Sequence, residues 1–469
     1  MKRVCYNLLK MFIGLSLTMI TLCGYTQNDN EDALFLKEIH NEALSAGFGY
    51  DILRHLTQDV GHRLAGSEGA AAAVEYTKQV LQDEGLDSVW LQECVVPRWD
   101  RGAPSEVRIV NSNQIGTRLL NSLALGNSIS TPQTGLTAPI VEVTSLDEVD
   151  NLGASLMGKI VFFNRPADPT QYRTFNAYGG AVDQRVFGAS RAAKYGAIGV
   201  IVRSINPTLD DIPHTGSCVY SDPSQQIPAI AISTNDAELL SSLNKKETIK
   251  VNMVSHGRML TPTTSYNVIG EIKGSQYPDE FILVGGHLDS WDVGEGAHDD
   301  GAGCAHSIDV LHILRQLNYQ PKRTIRCVMF MNEENGLKGA LAYQEASDAK
   351  GEFHLAAIES DSGGFTPRGF SCDAEASVFA TYFQKMTEWN NLLEPYYISL
   401  EKGGSGADIN PLKPQKGMLI GLRPDSQRYF DYHHTATDTF DKVNRRELEL
   451  GSAAMASLVY LIDKYGLGK

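Results

Sequence analysis

The sequence predicts an α/β protein: a doubly wound mixed sheet with helices on both faces, interrupted by a small β-rich domain. Three observations predict it. The first part of the chain has helical periodicity, the last part alternates strands with helices, and the part between is a run of short apolar segments broken by Gly, Pro and Asn. At 469 residues there is room for two or three domains. A hydrophobic content of 42% and a charged content of 21% are those of ordinary globular material.

Residues 1–27 read as a signal peptide. Lys2, Arg3 and Lys10 make a basic start, and the apolar run 11–23 is short for a membrane span. A secreted or periplasmic protein is therefore expected, with an uncleaved N-terminal anchor, or lipid attachment at Cys23, as the alternatives. The net charge is -15, and removing three basic residues gives -15 - 3 = -18. Such a surface repels phosphate backbones and anionic lipid heads, so no nucleic-acid partner is expected. Five cysteines would remain (Cys94, Cys218, Cys304, Cys327 and Cys372), odd in number and without a CxxC, so they read as small buried hydrophobes rather than a disulfide framework.

Residues 28–118 form the first part of the α/β domain, with apolar residues at three- and four-residue spacing between 31 and 85. Residues 119–256 carry GLTAPIVEV, GKIVFFN, GAIGVIV and IPAIAIS, short strands interrupted by one convincing helix near FGASRAAKYG. Residues 257–469 resume the α/β pattern with NVIGEIKG, FILVGGH, a helix through HSIDVLHILRQL, TIRCVMFMN, a second helix and HLAAIESD.

The chemistry lies where these strands stop. FILVGG runs into His287 and Asp289, IRCVMFMN into Glu333 and Glu334, LAAIES into Asp361, and GMLIGL through a loop into His433 and His434. In open α/β sheets ligands bind beyond the carboxyl ends of the strands, so these groups should share one crevice. Asp299 and Asp300 add a further pair before a helix, with glycines that let the backbone approach closely. Two histidines and several carboxylates without cysteine suit zinc, cobalt or manganese, and zinc is the usual choice of an exported hydrolase. A metal pair about 4 Å apart needs a bridging carboxylate and further ligands on each side. It also needs a separate carboxylate to take a proton from water whose pKa the metal has lowered to about 7. Of Glu333 and Glu334, one can ligate while the other faces the water, and Asp289 can orient the His287 ring. His306 and His312 read as structural, and His298 as a pocket wall.

The strings GGHLDSWDVGEGAHDDGAG, NEENGLKGA, ESDSGG and HHTATD, with LTQDVGHRLAGSEGAAAA upstream, resemble the di-zinc aminopeptidase-like metallopeptidases. The resemblance implies the zinc exopeptidase fold, with residues 119–256 as a protease-associated-like insertion. It implies two Zn2+ ions per chain, bridged by Asp299, with His287 and Asp361 on one and Glu334 and His434 on the other. His434 is preferred to His433 because the family's histidine stands directly before Thr or Ser. Glu333 then becomes the general base and Asp289 the support of His287. The implied reaction is hydrolysis of short peptides, above all dipeptides, from a free amino terminus, in a protein that forms a homodimer. A carboxypeptidase of the same fold, a glutaminyl cyclase with one zinc, and a binding ectodomain without catalysis are the competing readings. The strand ends show no arginine placed to clamp a substrate carboxylate, and Arg423 and Arg428 read as loop residues.

Overall fold

The structure is a computed structural model and describes residues 30–468. The segment read as a signal peptide, with Cys5 and Cys23, lies outside those residues. Helices 30–46, Phe48–Arg54 and Glu68–Asp83 come first, as the periodicity predicts. The third starts where the Ser67 side chain accepts the Ala70 N–H at 3.1 Å. Its buried residues Ala70, Ala73, Val74, Thr77 and Leu81 keep the spacing of a single helix face. Strand β1 (Ser88–Asp100) follows. Its alternation of buried and exposed residues was not recognised in the sequence.

The chain then builds a second sheet from β2 (Glu106–Ser112), β3 (Gly116–Leu120), β4 (Ser122–Ala124), β5 (Leu136–Val143), β6 (Ile160–Phe163), β7 (Gly199–Arg203), β8 (Ala229–Ile232) and β9 (Lys250–Val254). Their order is β3-β2-β9-β5-β6-β7-β8-β4. β5 to β8 run parallel, and β6, β7 and β8 are buried along their whole length. Such strands read as uninterrupted apolar runs because both faces are covered. The covering helices include Leu146–Leu152, Asp183–Ala193 and Thr234–Asn244, so the region is less purely β than its composition suggests. The second sheet begins at Glu106, ahead of the boundary at 119 drawn from texture.

β10 (Arg258–Ile272) returns to the first sheet, followed by β11 (Tyr277–His287), β12 (Arg323–Phe330), β13 (Phe353–Glu359), β14 (Pro367–Asp373), β15 (Ser399–Lys402) and β16 (Met418–Pro424). The order is β1-β10-β12-β11-β13-β16-β14-β15, parallel through β12, β11, β13 and β16 and antiparallel towards β1 and between β16 and β14. This is the mixed, doubly wound sheet expected. Alternate residues of β11 and β12 join different cores: Ile282, Val284, Ile325, Cys327 and Met329 pack with helices Ala302–Gln316 and Arg445–Tyr465, while Leu283, Val328 and Phe330 pack with Lys338–Lys350. Helices therefore cover both faces. Cys94, Cys218, Cys304, Cys327 and Cys372 are buried and free. Among the described residues, no helix is long and apolar enough to cross a membrane.

Candidate metal centre

Because β12, β11, β13 and β16 are parallel neighbours, their carboxyl ends form one rim. His287 is the last residue of β11, Glu333 and Glu334 follow β12, and Asp361 follows β13. β16 leads through the short helix Tyr429–Tyr432 to His433 and His434. Asp299 and Asp300, joined by a cis peptide bond, lie just before helix Ala302–Gln316. Gly303 lets that helix come close: a Cβ there would collide with the Ser360 carbonyl and the Asp300 carboxylate.

The rim groups meet at ligand spacing. His287 Nε2 is 3.3 Å from Asp299 Oδ1 and 3.6 Å from Asp361 Oδ1. His434 Nε2 is 3.3 Å from Asp299 Oδ2 and 3.2 Å from Glu334 Oε2. Two atoms that each lie about 2.0–2.1 Å from one tetrahedral ion are about 3.3–3.4 Å apart. The contacts outline one compact three-donor group, His287, Asp299 and Asp361, and a second centred on His434, in which Asp299 and His433 are mutually within ligand spacing and Glu334 joins through its contact with His434. Asp299 is common to both cradles, one carboxylate oxygen facing each. Asp299 Oδ2 is buried without a hydrogen-bond partner, a lone pair left for a cation. His433 Nε2 also lies 3.7 Å from Asp299 Oδ2, and its ring stacks on that of His434 at 3.6 Å. Of the two rings, it is His434 that also reaches Glu334.

The groups perturb one another strongly. Burial, with neighbouring carboxylates adding to it, raises the carboxyls of Glu333, Asp300 and Asp361, and takes Glu334 up to about 7. Burial alone would lower the two facing imidazoles, yet Asp299 and Asp361 raise His287, and Glu334 and Asp299 raise His434 to about 9. Burial likewise works against the Asp299 carboxylate, but His287 and His434 hold it well below the usual range. His433, lowered by burial and then by the charge on His434, stays neutral. A cation held between these groups would compete with their protons, so metal binding should be coupled to proton release.

The orientation of the two rings has different sources. His287 Nδ1 faces the main-chain carbonyl of Asp289 at 2.9 Å, whereas the Asp289 carboxylate stands 3.9 Å away. That carboxylate instead accepts the N–H groups of Asn332 at 2.6 Å and Glu333 at 3.0 Å. The support expected from the Asp289 side chain thus comes from its carbonyl, and the side chain holds the turn that presents Glu333. His434 Nδ1 faces the Thr215 carbonyl at 3.3 Å, across from the second sheet. Arg185 Nη1 lies 3.4 Å from that carbonyl and 3.4 Å from His434 Nδ1. Ser217 Oγ donates to the Glu334 carbonyl at 2.7 Å.

Two supporting residues escaped sequence reasoning. Arg63 is fully buried and donates to the carbonyls of Leu288, Glu295 and Gly296 at 2.8, 2.8 and 2.9 Å, fixing the loop between His287 and Asp299. Asp438 accepts the N–H groups of His298 and Asp299 at 2.8 and 3.1 Å. Both lie in strings quoted for the resemblance, which was the available signal. Asp292 and Glu295 are further acids of the loop between His287 and Asp299. Asp292 is held by Arg101 at 2.9 Å, and Glu295 accepts the Phe440 N–H at 2.7 Å. His306 and His312 are structural, bonded to Ser360 at 2.9 Å and Glu84 at 2.8 Å. His298 is sandwiched between Phe365 and Tyr432. A cavity of about 490 Å³ opens beside Asp361, lined in part by Ser405 and Arg423, while Asp408 is buried. Arg423 belongs to β16 and not to the loop after it, which corrects the expectation that no arginine stands at a strand end. Arg428 pairs with Glu447 and covers Phe365.

A sequence profile described as peptidase family M28 matches residues 267–459, the stretch that bears all of these ligands. Carboxypeptidase Q of Mus musculus is 35% identical over 416 residues, covering 88% of this chain and 85% of that one. The chain belongs to peptidase family M28. It is accordingly a metallopeptidase. The crystal structure of a peptidase M28 precursor from Shewanella amazonensis superimposes with a TM-score of 0.86 at 35% identity, over 93% of this chain and 97% of that one. A zinc aminopeptidase from Bacillus subtilis shares the fold at a TM-score of 0.64 and 20% identity, over 89% and 95% of the two chains.

Proposed function

We propose that the protein is an exported di-zinc exopeptidase that removes the amino-terminal residue of short peptides, above all dipeptides. The observation that carries the reading is the pair of cradles sharing Asp299, at the mutual spacing of zinc ligands. Imidazole and carboxylate donors suit zinc, and His287 with Asp361 and Glu334 with His434 complete the two sides. When bound, the zinc pair polarises the scissile carbonyl and lowers the pKa of a water.

Glu333 then takes the water's proton and passes it to the leaving amine, since it is placed at the rim but lies outside both cradles. Asp289 fixes the turn that carries it. Glu359, Glu333 and Asp361 make the crevice acidic, which favours a substrate ammonium beside it. The short cavity favours short substrates. Residues 119–256 act as a protease-associated-like cover, and the amino-terminal segment directs export. Sharing one bridging Asp299 disfavours the one-zinc cyclase reading, and the filled ligand positions disfavour the non-catalytic one. The test counts zinc in active protein and compares a dipeptide with its N-acetylated form. Two equivalents per chain, chelator-reversible activity and loss of rate on acetylation are expected. Full activity at one equivalent, or indifference to acetylation, would overturn the reading.

A further inference from the structure

We propose that the cavity beside Asp361 receives a carboxylate of the substrate, held by Arg423 and Arg173. The proposal rests on the exopeptidase reading and supplies what that reading lacks, a recognition of the other end of the peptide. The cavity lies between the two sheets: Asp361 and Glu359 line one side, Arg423 comes from β16, and Arg173 with Asn176 comes from the second-sheet region.

The arginines are arranged around a single anion. Arg423 Nε stands 2.6 Å from Glu401 Oε1, and Arg173 Nη2 stands 2.6 Å from Glu401 Oε2. Two guanidiniums on one carboxylate leave a unit of positive charge over. The other acid on that wall, Asp373, is already matched by Lys413 at 2.7 Å. Burial lowers the Arg423 pKa, Glu401 opposes that only in part, and Arg173 adds to it by like-charge repulsion. A second anion would relieve the repulsion, and a carboxylate fits the planar fork of a guanidinium.

The rest of the crevice rejects such an anion. The rim is crowded with Asp299, Asp300, Glu333, Glu334 and Asp361, so a substrate carboxylate is tolerated only at the arginine end. A peptide whose ammonium lies towards the acids and whose carboxylate lies towards the arginines is a short one. The carboxylate can be the main-chain terminus of a dipeptide or the side chain of an acidic residue, and the recognition chemistry is the same.

The test uses zinc-loaded full chain and four substrates: Ala-Gln, Ala-Gln amide, Ala-Glu and Ala-Glu amide. With the wild type, the favoured carboxylate is expected to lower KM by about ten- to a hundredfold, the range of a charge-assisted pair. In R423Q and R173Q that preference should shrink, through KM rather than kcat, and R423K should recover part of it. Both side chains are partly exposed, so their replacement is compatible with folding. A preference that follows amidation assigns the terminal carboxylate, and one that follows Glu against Gln assigns the side chain. Absence of any preference in the wild type, or its full survival in both glutamine variants, overturns the proposal. If no dipeptide is cleaved at all, the exopeptidase reading fails. Calorimetric binding of glutamine against glutamine amide to wild type and R423Q then still decides the arginine assignment.

Discussion

The two eight-stranded sheets contribute to the centre in different ways. The first delivers every donor of both cradles: His287, Glu334 and Asp361 from the ends of three parallel strands, Asp299 from a helix start, and His434 from the segment that follows β16. The second delivers none of them, and sends Thr215 and Ser217 from a loop, and Arg185 from a helix, to hold the far side of His434 and Glu334. Even the two imidazoles are divided in this way: His287 is oriented by a carbonyl two residues along its own chain, His434 by one that lies 219 residues away in sequence. Strand ends give a ligand a rigid origin, whereas loops give reach, and a site between two sheets uses both.

That division can be broken most sharply at the glutamate doublet. Glu333→Gln should lower kcat by about two to four powers of ten while both zinc equivalents remain. Glu334→Gln should reduce the zinc content as well. Metal analysis alongside kcat checks the pair, and an exchange of the two phenotypes would reverse the roles.

A smaller effect measures how far the second sheet serves the centre. Arg185→Met leaves every ligand in place but removes the charge beside the Thr215 carbonyl. Zinc affinity should fall by about ten- to a hundredfold, as for other partners of metal ligands. Competition with a chromophoric chelator reads this directly. An unaltered affinity would confine the second sheet to covering the crevice.

The smallest effect sharpens the contrast within the first sheet, between acids that face the metal cradles and an acid that does not. Asp309 sits on helix Ala302–Gln316, fully buried, and burial raises its carboxyl to about 7. Raised in the fold, it contributes stability below its ordinary pKa of 3.8 and loses that contribution as the pH climbs through about 7. Asp309→Asn should therefore be more stable than the wild type at pH 8, by about 1–3 kcal/mol, with no such gain at pH 4. Urea unfolding of metal-free protein at the two pH values checks it, and an equal difference at both would exclude titration of Asp309 as the cause.

How much of this was legible depends on whether the signal was local. The doubly wound sheet could be read because period-two apolar runs and helical periodicity are written in consecutive residues. His287, Glu333, Glu334 and Asp361 could be named because each stands just beyond such a run, whereas Asp299 stands before a helix and His434 beyond a loop, and the preference for His434 over His433 came from the resemblance. β1 was missed because an edge strand with one open face carries a weaker apolar signal than a buried run. Of the other helices of the second region, Leu146–Leu152 was missed because it is short, and Thr234–Asn244, as long as the recognised helix, because its polar residues and the Ser-Thr-Asn-Asp start read as a turn.

What the sequence determined by itself, then, is the alternating α/β pattern of the first sheet and a set of candidate donors, since these follow from hydrophobic period and from which residue types stand beyond the strands; their division between two metals came from the resemblance. Only the tertiary structure decided that the Asp289 carbonyl, not its carboxylate, meets His287, that Arg63 and Asp438 brace the ligand loop, and that Thr215 faces His434. It also turned Arg423 and Arg173 to one cavity. These are contacts between main-chain atoms or between residues far apart in the chain, and no residue type or spacing encodes them before the two sheets are packed together.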